Sequence, residues 1–228
     1  MTLTRPLAVL FDLDGTLIDT IGLLLECARH TFAGRTPAPT DDEWIAGIGT
    51  PLRKQFAAYT TSDEEIEELT QRYRAFQREH HDRLTNAFPG VLDVLSELEM
   101  KGHPMGIVTS KSNEMMDRGL EWVGIMRHMK TRIGMDNAKR HKPDPHPVQV
   151  ALEELGYEPH EAMFLGDSPH DIASGNAAGV TSVAALWGPF TREQLAPYHP
   201  AHYLERITDL PKLIEELEHY RGSPVPGV

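Results

Sequence analysis

Short apolar runs that end at polar residues alternate along this chain with stretches in which apolar residues recur every three or four positions. The clearest strand-like runs cover residues 7–11, 105–108 and 162–165, and two more are predicted at 131–135 and 181–186. Helical spacing between and after them predicts helices at residues 91–100, 113–123, 146–156, 169–178 and 210–220. Apolar strands that alternate with amphipathic helices are typical of βαβ units. The pattern therefore predicts an α/β fold built on a parallel sheet.

Residues 18–86 lack strand-like runs, and their pattern is helical throughout. A helix is predicted at residues 21–32, and Thr40 and Glu43 have the spacing of a capping box that opens a second one. Pro51 suits the first turn of a third. A long helix follows, with one face formed by Ile66, Leu69, Tyr73, Phe76 and His80. We interpret this face as packing residues rather than as a platform for a substrate.

The helical segment divides the chain into two predicted domains. Residues 18–86 are expected to form a helical insertion, while residues 1–17 and 87–228 form the core. A chain of 228 residues is long enough for one core with a modest inserted lobe. The two connections are expected to act as hinges, at residues 16–19 and 87–90. The Gly- and Pro-rich end of the chain, residues 222–228, is predicted to be a flexible tail.

Polar residues follow the three clearest strands at the point where each strand ends. The first is followed by Asp12-Leu13-Asp14-Gly15-Thr16, the second by Thr109-Ser110-Lys111, and the third by Gly166-Asp167-Ser168 with Asp171 one helical turn later. The carboxyl ends of parallel strands meet at one edge of a sheet, where open α/β sheets bind ligands. An Asp-Gly turn needs only one carboxylate, so the pair Asp12 and Asp14 favours a reactive site over a simple turn.

Lys142 lies between the second and third of these polar segments and directly precedes Pro143. A residue before proline is biased toward extended backbone, which suits a side chain that reaches across the strand ends. We therefore predict that Asp12, Asp14, Thr109, Lys142 and Asp167 converge in one cleft.

The charge and the cysteine content limit the function classes. The formal net charge of −12 argues against a nucleic-acid or anionic-membrane partner, since both need a basic surface. The single cysteine, Cys27, excludes an internal disulfide framework and a multi-cysteine metal site. Its apolar neighbours predict a buried, inert thiol. Because no signal peptide or membrane-spanning stretch is recognisable, we expect a cytoplasmic protein.

The order of the motifs, DxDGT, then threonine at a strand end, then lysine, then GDSxxD, resembles the haloacid dehalogenase superfamily. All four motifs are present in order at Asp12, Thr109, Lys142 and Asp167, and the resemblance extends over essentially the whole chain. It is strongest to the phosphoglycolate phosphatase-like branch, which includes bacterial inorganic pyrophosphatases of the PpaX type. The resemblance implies a Rossmann-like core with a helical cap and phosphohydrolase activity.

Phosphoryl transfer needs an in-line nucleophile and a proton donor for the leaving group. Asp12, fixed at the end of a strand, is the candidate nucleophile and would form an aspartyl phosphate. Asp14, two residues later, is the candidate general acid, and then the general base for the water that hydrolyses this intermediate. The alternative for Asp14 is a turn carboxylate that accepts hydrogen bonds from local N–H groups.

A carboxylate and a phosphate repel each other, so this chemistry calls for a divalent cation, and hard oxygen ligands suit Mg²⁺. The resemblance implies that the side chains of Asp12 and Asp167 and the backbone carbonyl of Asp14 are the ligands. Asp171 is implied as a nearby outer partner. The alternative for Asp167 and Asp171 is a pair of charges that stabilise a helix N-terminus.

Several other residues are candidates for substrate binding. Thr109, together with the N–H of Ser110, is expected to bind a phosphate oxygen, Lys142 to hold Asp12 and phosphate, and Gly15 to turn the chain beside it. In the cap, Gly49 and Thr50 open a short helix and are expected to close over the leaving group. A second anionic group could be met by Lys111, Arg53 and Lys54. His80, His81 and Asp82 are either metal ligands or a solvated helix end.

These observations favour a Mg²⁺-dependent phosphatase that acts on a small phosphorylated metabolite. Phosphoglycolate is the first choice of substrate, and inorganic pyrophosphate is the second. A phosphotransferase or mutase would use the same core chemistry, and a non-enzymatic binding module on the same fold is the alternative from another class. Dehalogenation is disfavoured, because it has no use for the second acid at Asp14. The oligomeric state is left open.

Overall fold

The computed structural model describes residues 5–222. Eight strands are formed in this range: β1 (Ala8–Phe11), β2 (Ile18–Asp19), β3 (Asn86–Ala87), β4 (Met105–Val108), β5 (Met129–Ile133), β6 (Ala162–Gly166), β7 (Thr181–Ala185) and β8 (His202–Leu204). The α-helices in this range are α1 (Ile21–Thr31), α2 (Asp41–Ala46), α3 (Leu52–Phe56), α4 (Asp63–His80), α5 (Val91–Met100), α6 (Asn113–Trp122), α7 (His146–Leu155), α8 (Pro169–Ala178), α9 (Arg192–Leu195) and α10 (Leu210–Gly222). Short 3₁₀ helices cover Asp82–Leu84, Met126–His128, Pro159–Glu161, Ala196–Tyr198 and Ile207–Asp209.

Six strands form one parallel sheet in the order β5-β4-β1-β6-β7-β8, which confirms the predicted α/β fold. The first strand of the chain lies in the middle, paired with β4 on one side and with β6 on the other. All four residues of β1 are buried, because helices cover both faces of the sheet. The three strands predicted to carry the site are therefore adjacent, and their carboxyl ends lie side by side.

Each face of the sheet has its own apolar core. Val9 and Phe11 of β1 lie in one cluster together with residues of α5 and α10, such as Leu95 and Ile214. Leu10 lies in the other cluster, with residues of α7 and β6. Alternate residues of one central strand thus anchor both layers, and the loop that follows β1 starts from the most enclosed part of the fold.

Two details differ from the prediction, and one prediction falls outside the described residues. The strand expected at residues 131–135 begins earlier, as Met129–Ile133. It is an edge strand whose charged Lys130 and Arg132 alternate with buried residues, so it contains no continuous apolar run. The short elements β8 and α9 were not predicted. The tail predicted at 222–228 lies outside the described residues, apart from Gly222 at the end of α10.

Residues 18–86 are not helical throughout, because they begin and end in the antiparallel pair β2–β3. The N–H of Phe88 also donates to the carbonyl of Leu17 at 3.1 Å, which extends this pairing toward the core. Backbone hydrogen bonds between the outgoing and returning chains explain why both connections adopt extended backbone at this point.

The helices within residues 18–86 pack on an apolar cluster of their own. The cluster contains Leu23, Cys27, Ala28, Phe32, Trp44, Phe56, Ile66, Leu69 and Tyr73. The capping box of Thr40 and Glu43 is present. The packing interpretation of the long helix is confirmed for Ile66 and Leu69, which are buried in this cluster. Tyr73 is buried in it too, but its side chain also lines the cavity at the strand ends.

Cys27 is a free, fully buried thiol, as predicted, and burial raises its pKa to about 12. Such a thiol is protonated at neutral pH and unreactive. Among the described residues, no helix combines the length and the apolar character that crossing a membrane would require.

Candidate active site

Asp12 lies at the carboxyl end of the central strand β1, where its N–H donates to the carbonyl of Leu165 at 2.9 Å. Its side chain is buried, and its Oδ1 accepts a hydrogen bond from Nζ of Lys142 at 2.7 Å. The chain then turns at Gly15, which has φ of +84°, and a Cβ at this position would lie 2.6 Å from Oδ2 of Asp167. Glycine is required here both by the backbone conformation and by the closeness of that carboxylate.

Lys142 is buried among three acceptors. Besides Asp12, its Nζ donates to Oδ1 of Asp171 at 2.6 Å and to the carbonyl of Val108 at 3.2 Å. Burial lowers the pKa of Lys142, but the two carboxylates outweigh this effect and hold the pKa above its ordinary value. The ammonium group therefore stays charged and fixes Asp12 and Asp171 relative to β4.

Asp14 is bound by two side chains that do not contact Asp12. Its Oδ1 accepts hydrogen bonds from Nζ of Lys111 at 2.5 Å and from Oγ1 of Thr20 at 2.6 Å. The side chain lines a cavity beside Asp12. The hydrogen-bond partners of the carboxylate are thus the side chains of Lys111 and Thr20 and no local N–H group of residues 5–222.

Three carboxylates crowd together at the strand ends: oxygens of Asp12, Asp167 and Asp171 lie within 4.8 Å of one another. Burial raises the pKa of Asp12 to about 7, and Asp171 adds to the rise against the opposing effect of Lys142. Burial also raises the pKa of Asp167 well above its ordinary value, with further contributions from Asp171 and Asp12. One buried ammonium group does not compensate three buried carboxylates, so the cluster lacks positive charge.

The position that lacks a partner is Oδ2 of Asp167. Its Oδ1 accepts a hydrogen bond from Oγ1 of Thr16 at 2.7 Å, but Oδ2 is buried and has no hydrogen-bond donor among the described residues. A buried anionic oxygen without a partner is costly and is typical of a site that holds a cation. The side chains of Asp12 and Asp167 offer hard oxygen donors, which fit Mg²⁺.

Asp171 differs from Asp167 because both of its carboxylate oxygens have hydrogen-bond donors. Its Oδ1 is bound by Lys142, and its Oδ2 accepts hydrogen bonds from both the N–H and the hydroxyl group of Ser168, at 3.0 and 2.6 Å. These contacts close the capping box at the start of α8. Because both oxygens are already engaged, Asp171 is better suited to hold Lys142 and to act as an outer partner than to bind a metal directly.

Replacing Asp167 with asparagine is expected to remove the response of the protein to Mg²⁺ without lowering its stability in chelator. The substitution removes a buried, partly unpaired charge, but it also removes the oxygen that a cation would bind. The measurement is the melting temperature with Mg²⁺ and with chelator. The wild-type protein and the exposed control Asp42→Asn should both be stabilised by Mg²⁺. An unchanged Mg²⁺ response in Asp167→Asn would contradict this assignment.

A cavity of about 320 Å³ lies between these strand ends and the helices of residues 18–86. From the core it is lined by Asp12, Asp14, Thr109, Ser110, Lys111, Ser112, Glu114, Met115, Met135, Asp136 and Lys142. From the other side it is lined by Leu24, Trp44, Ile48, Gly49, Thr50, Leu52, Gln55, Tyr73, Arg74, Gln77 and Arg78. This volume is at the small end of the roughly 300–1,000 Å³ typical of ligand pockets. The cavity therefore suits a ligand of few atoms.

The family model for haloacid dehalogenase-like hydrolases matches residues 9–185. The chain belongs to this family. It is 38% identical over 211 residues to the pyrophosphatase PpaX of Bacillus velezensis, covering 92% of this chain and 97% of that protein. It is also 38% identical over 203 residues to the PpaX of Anoxybacillus flavithermus, covering 89% and 94%. A crystal structure of a predicted phosphoglycolate phosphatase from Haemophilus somnus has the same fold, with a TM-score of 0.84, 21% identity, and coverage of 92% and 99%.

In this haloacid dehalogenase-like hydrolase, the predicted cap loop contacts the core directly. The hydroxyl group of Ser110 donates to the carbonyl of Gly49 at 2.6 Å. Gly49 has φ of +94°, and a Cβ there would lie 2.9 Å from Oγ of Ser168 and 3.2 Å from the ring of His170. Thr50 lines the cavity beside it. The loop thus lies against two of the strand ends that carry the site.

Replacing Gly49 with alanine is expected to lower kcat/KM by at least about tenfold, because the added methyl group would push the loop away from Ser168 and misplace the residues that cover the reacting groups. The matched control is Gly34→Ala, since Gly34 also has a positive φ of +78° but a methyl group added there would meet no atom within 4 Å. Because both glycines have a positive φ, the two variants should lose a similar free energy of unfolding, which urea denaturation measures. Equal activities in the two variants would show that contact of the loop with the core is unimportant.

Not all of the predicted substrate residues face the cavity. Thr109 lines it and is buried, whereas Arg53 pairs with Glu67 on the surface, at 2.8 Å. Lys54 is exposed and does not line the cavity. These two cations of α3 therefore do not line the cavity that contains Asp12 and Asp14.

The prediction for His80, His81 and Asp82 needs correction. His81 is fully buried, its Nδ1 contacts Asp82 at 2.8 Å, and Asp82 also accepts a hydrogen bond from Arg118. This helix end is therefore anchored rather than solvated at His81. His80 packs edge-on against the ring of Phe76. Within residues 5–222, the cluster that could hold a metal ion consists of Asp12, Asp167 and Asp171, and these histidines do not belong to it.

Sequence reasoning missed Thr20 and Gln77, and it gave Arg74 no contact with the substrate. Thr20 binds the candidate general acid, and the other two line the cavity from α4. Gln77 lies four positions after Tyr73 on the buried face of α4 and is itself buried. A polar residue at the spacing of an otherwise apolar face was the signal that could have revealed this surface.

Proposed function

We propose that this hydrolase removes a phosphoryl group from a small anionic substrate through an aspartyl phosphate on Asp12, with inorganic pyrophosphate as the preferred substrate. The observation that carries this proposal is the position of Asp12: its carboxylate lines a small cavity at the end of the central strand and is held by a charged Lys142 at 2.7 Å. A fixed carboxylate beside a cation is suited to in-line attack on phosphorus.

In the first step, an oxygen of Asp12 attacks phosphorus and the bond from phosphorus to the leaving oxygen breaks. Asp14 gives its proton to that leaving oxygen. Its Oδ1 is engaged by Lys111 and Thr20, so Oδ2 is the oxygen that faces this task. In the second step, Asp14 takes a proton from water, the resulting hydroxide attacks phosphorus, and the bond to Asp12 breaks to release phosphate.

Positive charge around the phosphoryl oxygens comes from several groups of this chain. Lys142 supplies a fixed ammonium group, while the hydroxyl group of Thr109 and the N–H of Ser110 supply hydrogen bonds at the end of β4. Mg²⁺ bound by Asp12, Asp167 and the carbonyl of Asp14 would add a divalent charge that offsets the repulsion between carboxylate and phosphate.

We rank pyrophosphate above phosphoglycolate as the candidate substrate, although the sequence alone favoured phosphoglycolate. Two relatives at 38% identity, each matched over most of its length, are named pyrophosphatases. The similarity to a predicted phosphoglycolate phosphatase, at 21% identity, supports the shared fold rather than a shared substrate. Phosphoglycolate is retained as the second candidate, because its leaving group is also small and anionic and the cavity of about 320 Å³ accepts either molecule.

The proposal is tested by initial rates of phosphate release from pyrophosphate, phosphoglycolate and a larger ester such as glucose 6-phosphate. Each is measured with Mg²⁺ and with chelator. We expect the highest kcat/KM for pyrophosphate and no turnover in chelator. A higher value for phosphoglycolate would establish the second candidate, and a higher value for the sugar phosphate would refute both. Transfer of the phosphoryl group to an added acceptor, in place of phosphate release from the esters, would indicate a phosphotransferase.

The predicted motion of residues 18–86 about their two connections would let substrate enter and products leave. The hydrogen bond between Ser110 and Gly49 is a contact that such a motion would break and form again. We propose that this contact belongs to the closed arrangement, in which bulk water is excluded from the aspartyl phosphate.

A further inference from the structure

The cations that line the cavity differ in how they are paired. Lys142 is bound by Asp12 and Asp171, Lys111 is bound by Asp14, and Arg78 contacts Glu114 at 3.3 Å. Arg74 also lines the cavity, but among the described residues it has no carboxylate or other hydrogen-bond acceptor. It is therefore the cavity-lining cation whose charge no side chain of residues 5–222 neutralises.

A second unpaired group lies beside it. Gln77 follows Arg74 by three positions on α4, so both side chains project from the same face of that helix. Gln77 also lines the cavity, is only 6% exposed, and its side-chain amide has no hydrogen-bond partner within residues 5–222. Its amide atoms are open to the cavity rather than fully enclosed, and an unbonded amide next to an unpaired guanidinium group indicates a ligand with acceptor oxygens.

The geometry of in-line displacement supports the same conclusion. The phosphoryl group under attack lies at the strand ends, against Asp12 and Lys142, and the leaving group must extend away from Asp12 for in-line displacement. The wall of the cavity that comes from α4 carries Arg74 and Gln77, whereas the core supplies the reacting groups. A guanidinium group binds carboxylate or phosphate oxygens in pairs, which an ammonium group cannot do.

We propose that Arg74 and Gln77 form the subsite for the leaving group and select substrates in which that group is itself a small anion. The substrate class is then a compact dianion or polyanion, such as pyrophosphate, rather than the phosphate ester of a neutral alcohol. This inference rests on the proposed function, since it takes the transfer to Asp12 as given and adds the recognition of the other half of the substrate.

Arg72 provides a matched control on the same helix. It lies two positions before Arg74, does not line the cavity, and is half-buried like Arg74. The variants Arg74→Gln and Arg72→Gln remove the same charge from α4, and only the first removes it from the cavity. Urea denaturation of both variants shows whether a loss of activity comes from unfolding.

The test compares phosphate release from pyrophosphate and from phenyl phosphate, whose leaving group carries no charge in the substrate. Arg74→Gln should lower kcat/KM for pyrophosphate by roughly 10- to 100-fold, the loss typical of a hydrogen bond to a charged group, mainly through a higher KM. For phenyl phosphate, kcat/KM should change less than about threefold. Arg72→Gln should change neither value. Equal losses on both substrates, or an unchanged value for pyrophosphate, would overturn the subsite.

Binding of methylenediphosphonate, a pyrophosphate analogue that is not hydrolysed, separates this inference from the proposed function. Titration calorimetry should show weaker binding to Arg74→Gln than to the wild-type protein and to Arg72→Gln. If the wild-type protein hydrolyses no substrate but binds the analogue through Arg74, the proposed function fails and the anion subsite stands. If the protein hydrolyses pyrophosphate and both variants bind the analogue equally, the subsite fails and the proposed function stands.

Discussion

Replacing Asp12 with asparagine is expected to lower kcat by roughly 10³-fold or more, a loss typical of removing a nucleophile. The amide oxygen of asparagine can still accept the hydrogen bond from Lys142, so the geometry of the strand end should be kept. Its nitrogen cannot form the acyl phosphate, and one ligand of the candidate metal site is weakened. The measurement is the single-turnover and steady-state rate of phosphate release at saturating Mg²⁺.

The same variant should fold at least as well as the wild-type protein without metal. Burial raises the pKa of Asp12 to about 7, which means that the ionised carboxylate is disfavoured in the crowded cluster with Asp167 and Asp171. A neutral amide relieves part of this repulsion. The melting temperature in chelator tests this point. A well-folded Asp12→Asn that retains more than a few per cent of the wild-type rate would rule out Asp12 as the nucleophile.

Replacing Lys142 with methionine is expected to destabilise the protein by about 3–5 kcal/mol and to remove turnover, because it leaves buried carboxylates without their counter-charge. Lys101 is the matched control. Each lysine binds two carboxylates, Lys142 in the interior and Lys101 at the surface, where Nζ contacts Glu97 and Glu215 at 2.8 Å each. Surface pairs are screened by water, so Lys101→Met should change stability little.

Urea denaturation of the two lysine variants checks this contrast. The double variant Lys142→Met with Asp171→Asn should recover part of the lost stability, since it removes one of the two carboxylates that Lys142 neutralises. It should not recover activity, because the charge that binds phosphate is still missing. Similar stability losses in Lys142→Met and Lys101→Met would show that the interior pair is not the electrostatic centre of the site.

The central part of the fold was predictable because its strands are buried on both faces. The residues of β1, β4 and β6 form continuous apolar runs, and the polar residue that ends each run marks the edge of the sheet. Topology then requires Asp12, Thr109 and Asp167 to meet, although they are far apart in sequence. This reasoning needs only the strand ends, so it holds without any knowledge of the helices between them.

Other features depend on packing that no local pattern encodes. The edge strand β5 alternates charged and buried residues, which obscured its start. The burial of His81 follows from its position between Asp82 and the helix α6, which the sequence does not indicate. The pairing of Asp171 with Lys142 likewise needs the distance between the start of α8 and the loop before α7. Long-range side-chain contacts of this kind were the part that could not be predicted.

The two-residue ladder of β2 and β3 has a consequence for how such an enzyme can diversify. The ladder holds Ile18 opposite Ala87, so the chain departs from and returns to the core at nearly one point. The entropic cost of closing the intervening loop grows only by about 0.6 kcal/mol for each doubling of its length. Insertions, deletions and whole replacements between these strands therefore leave the six-stranded sheet and the buried carboxylates of Asp12, Asp167 and Asp171 in place. Natural selection can therefore exchange the segment between β2 and β3 while the residues at the strand ends are inherited unchanged.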